Sequence, residues 1–177
     1  MDRRKRISAG TAGSEIAEAA LVLPIFFLIM LGIYWFGRAF NTYATINHAA
    51  REGARLAVAQ TCAACGNAQP TLTAIGTQVA QSLRASSLDP TQVQNLGGSR
   101  TACGGLGTTS CQVPSSGPQI CVFYNVQLPN TLPAGSGTPA CGVSVQFQYP
   151  YQFALPYTSL NMQKIMLNAG VQMTGEY

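Results

Sequence analysis

Seven side chains in this sequence are of types that do redox or metal chemistry: Cys62, Cys65, Cys103, Cys111, Cys121, Cys141 and the single histidine, His48. Cys62-Ala-Ala-Cys65 has the C-x-x-C spacing of dithiol redox centres and of zinc sites. Each chemistry asks for more than that spacing. A structural zinc needs four ligands, yet no second C-x-x-C follows, and His48 lies fourteen residues before Cys62. A reactive thiolate is commonly made at the positive N-terminus of a helix. Cys62 instead follows a long helical stretch, at its negative end, and no βαβ pattern surrounds it. What remains for six cysteines, an even number, is disulfide formation in an oxidising compartment. Fifteen connectivities are open, and Cys62–Cys65 is the local pair the spacing favours.

The carboxylates are equally sparse. Beyond Glu52 only Asp89 and Glu176 are acidic, and no nucleophile–base–acid set and no phosphate-binding glycine loop is found. The expectation is therefore no enzyme, no cofactor, no metal and no small-molecule substrate. His48 reads as an exposed helix residue, and Arg51, Glu52 and Arg55 as solvated helix-surface pairs. An anchored thiol oxidoreductase and a generic anchored binding domain are the alternatives. Two acids stand out by position: Glu15 and Glu18 precede nineteen uncharged residues, Ala19 to Gly37. A carboxylate at the edge of hydrocarbon is costly and is commonly kept for function. The positive end of a helix accounts for Glu15; Glu18 needs a further reason.

The element that holds these acids is a membrane span. Nineteen residues at 1.5 Å rise approach the thickness of the hydrocarbon core, and the run shows no polar face. Pro24 interrupts one backbone bond, which membrane helices tolerate, and Tyr34 and Trp35 stand near the far end, where amphipathic rings favour the interface. A cleaved signal peptide would have a shorter apolar region and small residues at its end. This one ends in Trp35-Phe36-Gly37-Arg38. Asp2, Arg3, Arg4, Lys5 and Arg6 contribute +3 of the chain's net +4. This basic leader places the N-terminus in the cytoplasm and the rest outside the inner membrane. The remainder is close to neutral, which excludes a nucleic-acid-binding surface.

No helix breaker occurs from Arg38 to about Gln60, so one helix is expected from about Ser14 to Gln60, half in lipid and half a stalk. Its expected face is Phe36, Phe40, Tyr43, Asn47, Ala50, Ala54 and Val58. A second helix is expected at about 70–85, with Leu72, Ile75, Val79 and Leu83 as its stripe and Pro70 in its first turn. Residues 96–118 read as a glycine-rich loop. Alternation then predicts strands at about 119–129, 141–150 and 164–175, forming an antiparallel sheet with one face buried on the stalk. If the first two pair directly, Cys121 and Cys141 lie more than about 20 Å apart at 3.3 Å per residue. Each then looks to Cys103 or Cys111. The fold class is α+β: a long N-terminal helix against a small, disulfide-stapled antiparallel sheet. Its parts are a leader (1–13), a transmembrane helix (14–37), a stalk (38–60) and an extracytoplasmic head (61–177).

Three islands resemble the TadE-like family of tight-adherence (Tad) pilus assembly proteins: Glu18 before Ala20-Leu21-Val22-Leu23-Pro24, Gly37-Arg38-Ala39-Phe40, and Asn47 to Arg55. The resemblance covers Gly13 to about Ala57. It implies a pilin-like pseudopilin, a minor pilin whose partners are other Tad pilins or pseudopilins, the assembly platform and inner-membrane lipid. It also implies cleavage by a prepilin peptidase after a glycine five residues before a glutamate. Gly13 and Glu18 fit that spacing, as do Gly10 and Glu15; the alignment of Glu18 with Pro24 favours cleavage between Gly13 and Ser14. Ser14 would then carry a free ammonium near Glu18, and the pair would pin the register in which the helix joins its neighbours.

Overall fold

The computed structural model describes residues 12–59, 69–96, 109–110, 117–128, 141–153 and 163–174. Cys62, Cys65, Cys103 and Cys111, the leader and Gly10 lie outside them. Helix α1 runs from Ala12 to Val58 with Pro24 inside it, about 70 Å at 1.5 Å per residue. Two compact units divide after Phe40.

In the first unit α1 is bare. Ile16, Leu21, Leu28 and Ile33 expose 65–73% of their surface, and Phe26, Phe27 and Ile29 more than half. Water would penalise so much apolar surface by about 25 cal/mol per Å², so the segment suits a solvent that is itself apolar. Tyr34 and Trp35 pack edge to face with ring centroids 5.2 Å apart, and the Arg38 guanidinium stands 5.9 Å from the Trp35 ring centroid. This is an aromatic–cation cluster of the kind found where hydrocarbon meets water.

The second unit, Asn41 to Tyr177, is where the rest of α1 is buried. The stalk expected over 38–60 is, from Asn41 on, a core element of the head. Its inward face is Thr42, Ile46, Ala49, Ala50, Gly53, Ala54 and Ala57. Of the expected mixed face, Ala50 and Ala54 are buried and Val58 packs at the rim of the core, whereas Tyr43 is 47% exposed, so the buried stripe is turned toward small residues. Small residues let the helix backbone approach closely. A Cβ on Gly53 would stand 2.6 Å from Val79 Cγ2, closer than carbon atoms pack.

Helix α2, Leu72 to Ala85, starts where Thr71 Oγ1 accepts the amide of Ala74 at 3.2 Å. That side-chain cap, rather than Pro70, sets the start. Its buried face is Ile75, Gly76, Val79, Ala80 and Leu83, with Leu72 at the rim. A 3₁₀ turn at Pro90 to Gln92 follows, capped by Asp89.

The sheet has the order β1-β2-β3-β4, all antiparallel: Thr109–Ser110, Cys121–Gln127, Cys141–Gln152 and Lys164–Thr174. It carries three long strands and one stub. Beyond the end of β2, Gln94 takes over as a neighbour of β3, exchanging two backbone hydrogen bonds of 2.9 and 2.8 Å with Gln148. One face of the sheet, with Val122, Tyr124, Val143, Val145, Phe147 and Tyr149, joins α1 and α2 in a single core. Fully burying each such side chain contributes about 1.5–3 kcal/mol.

The sheet departs from the expected alternation in two ways. Tyr124 and Asn125 stand opposite Val143 alone, a β-bulge with Asn125 at φ 52°, a left-handed position that asparagine tolerates. The extra residue resets the alternation, so Val126 falls on the face of Cys121 and Phe123, not with Val122 and Tyr124. That second face is buried too: Cys121, Phe123 and Ser144 are at most 1% exposed, and Gln146 Nε2 donates to Ser144 Oγ at 2.9 Å. The sheet's middle is therefore covered on both sides rather than one.

Candidate functional site

The N-terminal end of α1 carries the residues singled out for processing. Gly13 lies in the first helical turn, where backbone N–H groups have no partner within the helix, and nothing stands within 4 Å of where its Cβ would be. Gly13 is itself exposed. Glu15 and Glu18 are both exposed and three residues apart, hence on one side of the helix. Ser14 and Glu18 are four apart along α1, which puts them one helical turn from each other. A charge on the backbone nitrogen of Ser14 and the Glu18 carboxylate would thus share one stripe of the helix.

The cysteines have a firmer geometry than their spacing gave. Cys121 opens β2 opposite Gln146, and Cys141 opens β3 opposite Gln127. The two stand at opposite ends of the paired segment, far beyond the 7 Å that a disulfide spans between Cα atoms. Neither carries a free thiol. Cys121 Sγ lies 3.2 Å from the Leu96 carbonyl oxygen, close to the segment that leads toward Cys103 and Cys111.

One polar cluster was not read as a unit from the sequence. Ser82 Oγ is 3.5 Å from His48 Nδ1, His48 Nε2 is 4.0 Å from Glu52, and Arg55 is 3.7 Å from the same carboxylate oxygen. The order serine–histidine–carboxylate is that of a hydrolase, but the contacts are long and the His48 side chain is 67% exposed. Ser82 also sits inside α2, where backbone amides are engaged in the helix and none is left to hold an oxyanion. The cluster ties α1 to α2 at the surface. Among the described residues no group of three or more His, Cys, Asp or Glu side chains could hold a metal.

Hydrogen bonds from the head's loops fix their positions. Asp89 accepts from the Thr91 amide at 2.9 Å and hydroxyl at 2.8 Å, and these bonds hold its carboxyl below the usual range. The Asp89 amide donates to the Tyr149 hydroxyl at 3.2 Å. The Tyr124 hydroxyl donates to the Pro70 carbonyl at 3.4 Å, and burial raises the pKa of Tyr124.

Comparison with known proteins adds one finding. The family of TadE-like proteins matches residues 13–55, about a quarter of the chain and nearly the whole of α1. The segment is TadE-like, as its three islands indicate, and a TadE-like segment points to a pilin-like protein associated with Tad pili. No curated protein and no solved structure matches the chain.

Proposed function

We propose that the protein is a TadE-like pseudopilin that takes part in assembling a Tad-type pilus. The observation that carries this reading is the coincidence of the matched segment, 13–55, with a bare apolar helix that opens on an accessible glycine and on Glu18. The basic leader holds the N-terminus in the cytoplasm, α1 anchors the chain once in the inner membrane, and the head stands in the periplasm. There its cysteines close as disulfides, with Cys121 and Cys141 each joined to Cys103 or Cys111. Prepilin peptidase removes the leader after Gly13. The new Ser14 ammonium then pairs with the Glu18 carboxylate, of the same chain or of a neighbour. An unpaired charge is penalised among apolar helices, so only registers that satisfy both groups are stable. The protein acts through its partners, the other pilins or pseudopilins and the assembly platform, and not as an enzyme.

Replacing Glu18 tests the assignment. Glu18→Ala should insert into the membrane as well as the parent, because it removes a costly carboxylate, and should abolish piliation. Glu15→Ala should be milder. Normal pili in a strain carrying Glu18→Ala would end the register-pin account.

A further inference from the structure

The exposed apolar side chains of the second unit gather at one end. Among its described residues the large apolar side chains left exposed are Tyr43 and Ile165, each at 47%. Contacts inside the unit fix where they lie. Gly53 of α1 faces Val79 of α2 and Val145 of β3, and His48 faces Ser82, so α2 runs antiparallel to α1. Tyr124, opposite Val143, reaches Pro70 just before α2, and Tyr149 reaches Asp89 just after it. Strand β3 therefore runs along α2 and against α1, toward the level of Asn41. The helix from Gly53 back to Asn41 covers about 18 Å at 1.5 Å per residue. The strand from Val145 to Tyr151 covers about 20 Å at 3.3 Å per residue. Tyr151 pairs with Ile165, and Gln152 with Lys164. Ile165 and Lys164 thus stand level with Asn41 and Tyr43, at the end where α1 enters the head.

The chain itself ties that end to lipid. Gly37 closes the apolar run, and Asn41 follows it so closely that even a fully extended link spans no more than about 14 Å. A half-exposed tyrosine, a half-exposed isoleucine and an exposed lysine suit a bilayer surface. They supply an amphipathic ring, an apolar side chain and a cation whose stem lies on apolar surface while its ammonium meets phosphate. At the other end of the β3–β4 pair, Gly142 and Thr174 offer neither a charge nor an apolar side chain. We propose that the Tyr43–Lys164–Ile165 end of the head is a second membrane contact. Tyr43 and Ile165 enter the headgroup layer, and Lys164 pairs with the phosphate of an anionic phospholipid, which favours contact about fivefold. The contact rests on the membrane-anchored reading and adds to it the face that the head turns to the lipid.

Amide NMR of the full chain in lipid nanodiscs of equal parts phosphatidylcholine and phosphatidylglycerol tests the contact. A gadolinium chelate on the lipid headgroup should enhance relaxation of the Tyr151, Gln152 and Met166 amides at least fivefold more than that of Val143 and Met173, which lie about 26 Å along the sheet from Tyr151. Lys164→Glu with Ile165→Thr, which keeps a β-branched side chain in the strand, should bring the two ends within twofold of each other. Thr174→Glu should leave the difference intact, and phosphatidylcholine alone should reduce it at least twofold. Equal enhancement at the two ends, or a difference unchanged by the double variant or by phosphatidylcholine alone, would overturn the proposal. An acyl-chain spin label reads the anchor separately. If it broadens Leu21 to Ile33 while the two ends of the sheet respond alike, the anchored reading stands and this contact falls; if it spares them, the anchored reading falls and takes the contact with it.

Discussion

At Gly53 α1 comes close to both α2 and the sheet, and its replacement by alanine has a calculable outcome. The added methyl would lie 2.6 Å from Val79 Cγ2 and 3.6 Å from both Ile75 Cγ2 and Val145 Cγ1. Carbon atoms pack best at about 3.5–4.0 Å, so two of these contacts are acceptable and one is not. Val79 is fully buried and its β-branched side chain has little freedom to turn away. Alanine in place of glycine within a helix contributes about 1 kcal/mol, while overpacking a filled core costs about 1–3 kcal/mol. The net expectation is a loss of up to about 2 kcal/mol. Val79→Ala removes the opposing methyls and should cost about 2 kcal/mol alone. In that background Gly53→Ala should become stabilising by about 1 kcal/mol, a coupling of about 1–3 kcal/mol. Urea unfolding of the full chain in micelles, followed by the near-ultraviolet dichroism of the head's tyrosines, measures all four corners. Equal stabilisation by Gly53→Ala in both backgrounds would show that the helices do not meet at this glycine.

Two further outcomes follow from the head. A non-reducing peptide map should show no Cys121–Cys141 bond, and each cysteine joined to Cys103 or Cys111; a direct bond would contradict the β2–β3 register. The Asp89 carboxyl is held below its ordinary value of 3.8 by the Thr91 hydrogen bonds. Its contribution is therefore fully present above the unfolded pKa and is lost as pH falls through the lower folded value. An NMR titration of Asp89 should give a midpoint below 3.8, and Thr91→Ala should raise it; an unmoved midpoint would separate the turn from that carboxylate.

The elements legible in the sequence were those with a regular period. Nothing breaks α1 between its apolar run and Val58, and Val143, Val145, Phe147 and Tyr149 alternate cleanly into the core. What escaped was decided by packing. The inward face of α1 follows Gly53 and its alanines because neighbours must come close; the spacing that gave Ala50 and Ala54 also included Tyr43, which is exposed. The bulge at Asn125 moved Val126 to the second face, since one extra residue inverts every later position in a strand. Burial of Ser144 and Gln146 was hidden for the same reason that it is stable, because their polar groups bond to each other. At the N-terminus the matched residues, 13–55, contain the islands that the sequence displays directly, Glu18 and Pro24 among them.

The central claim, that this chain is processed as a pilin-like subunit, turns on one peptide bond. Intact mass and N-terminal sequencing of the protein extracted from its own membrane should find a chain beginning at Ser14, and Gly13→Ala should retain the leader. A mature chain still carrying Arg3 to Arg6, or one cut after Gly10, would contradict the assignment of Gly13 and Glu18.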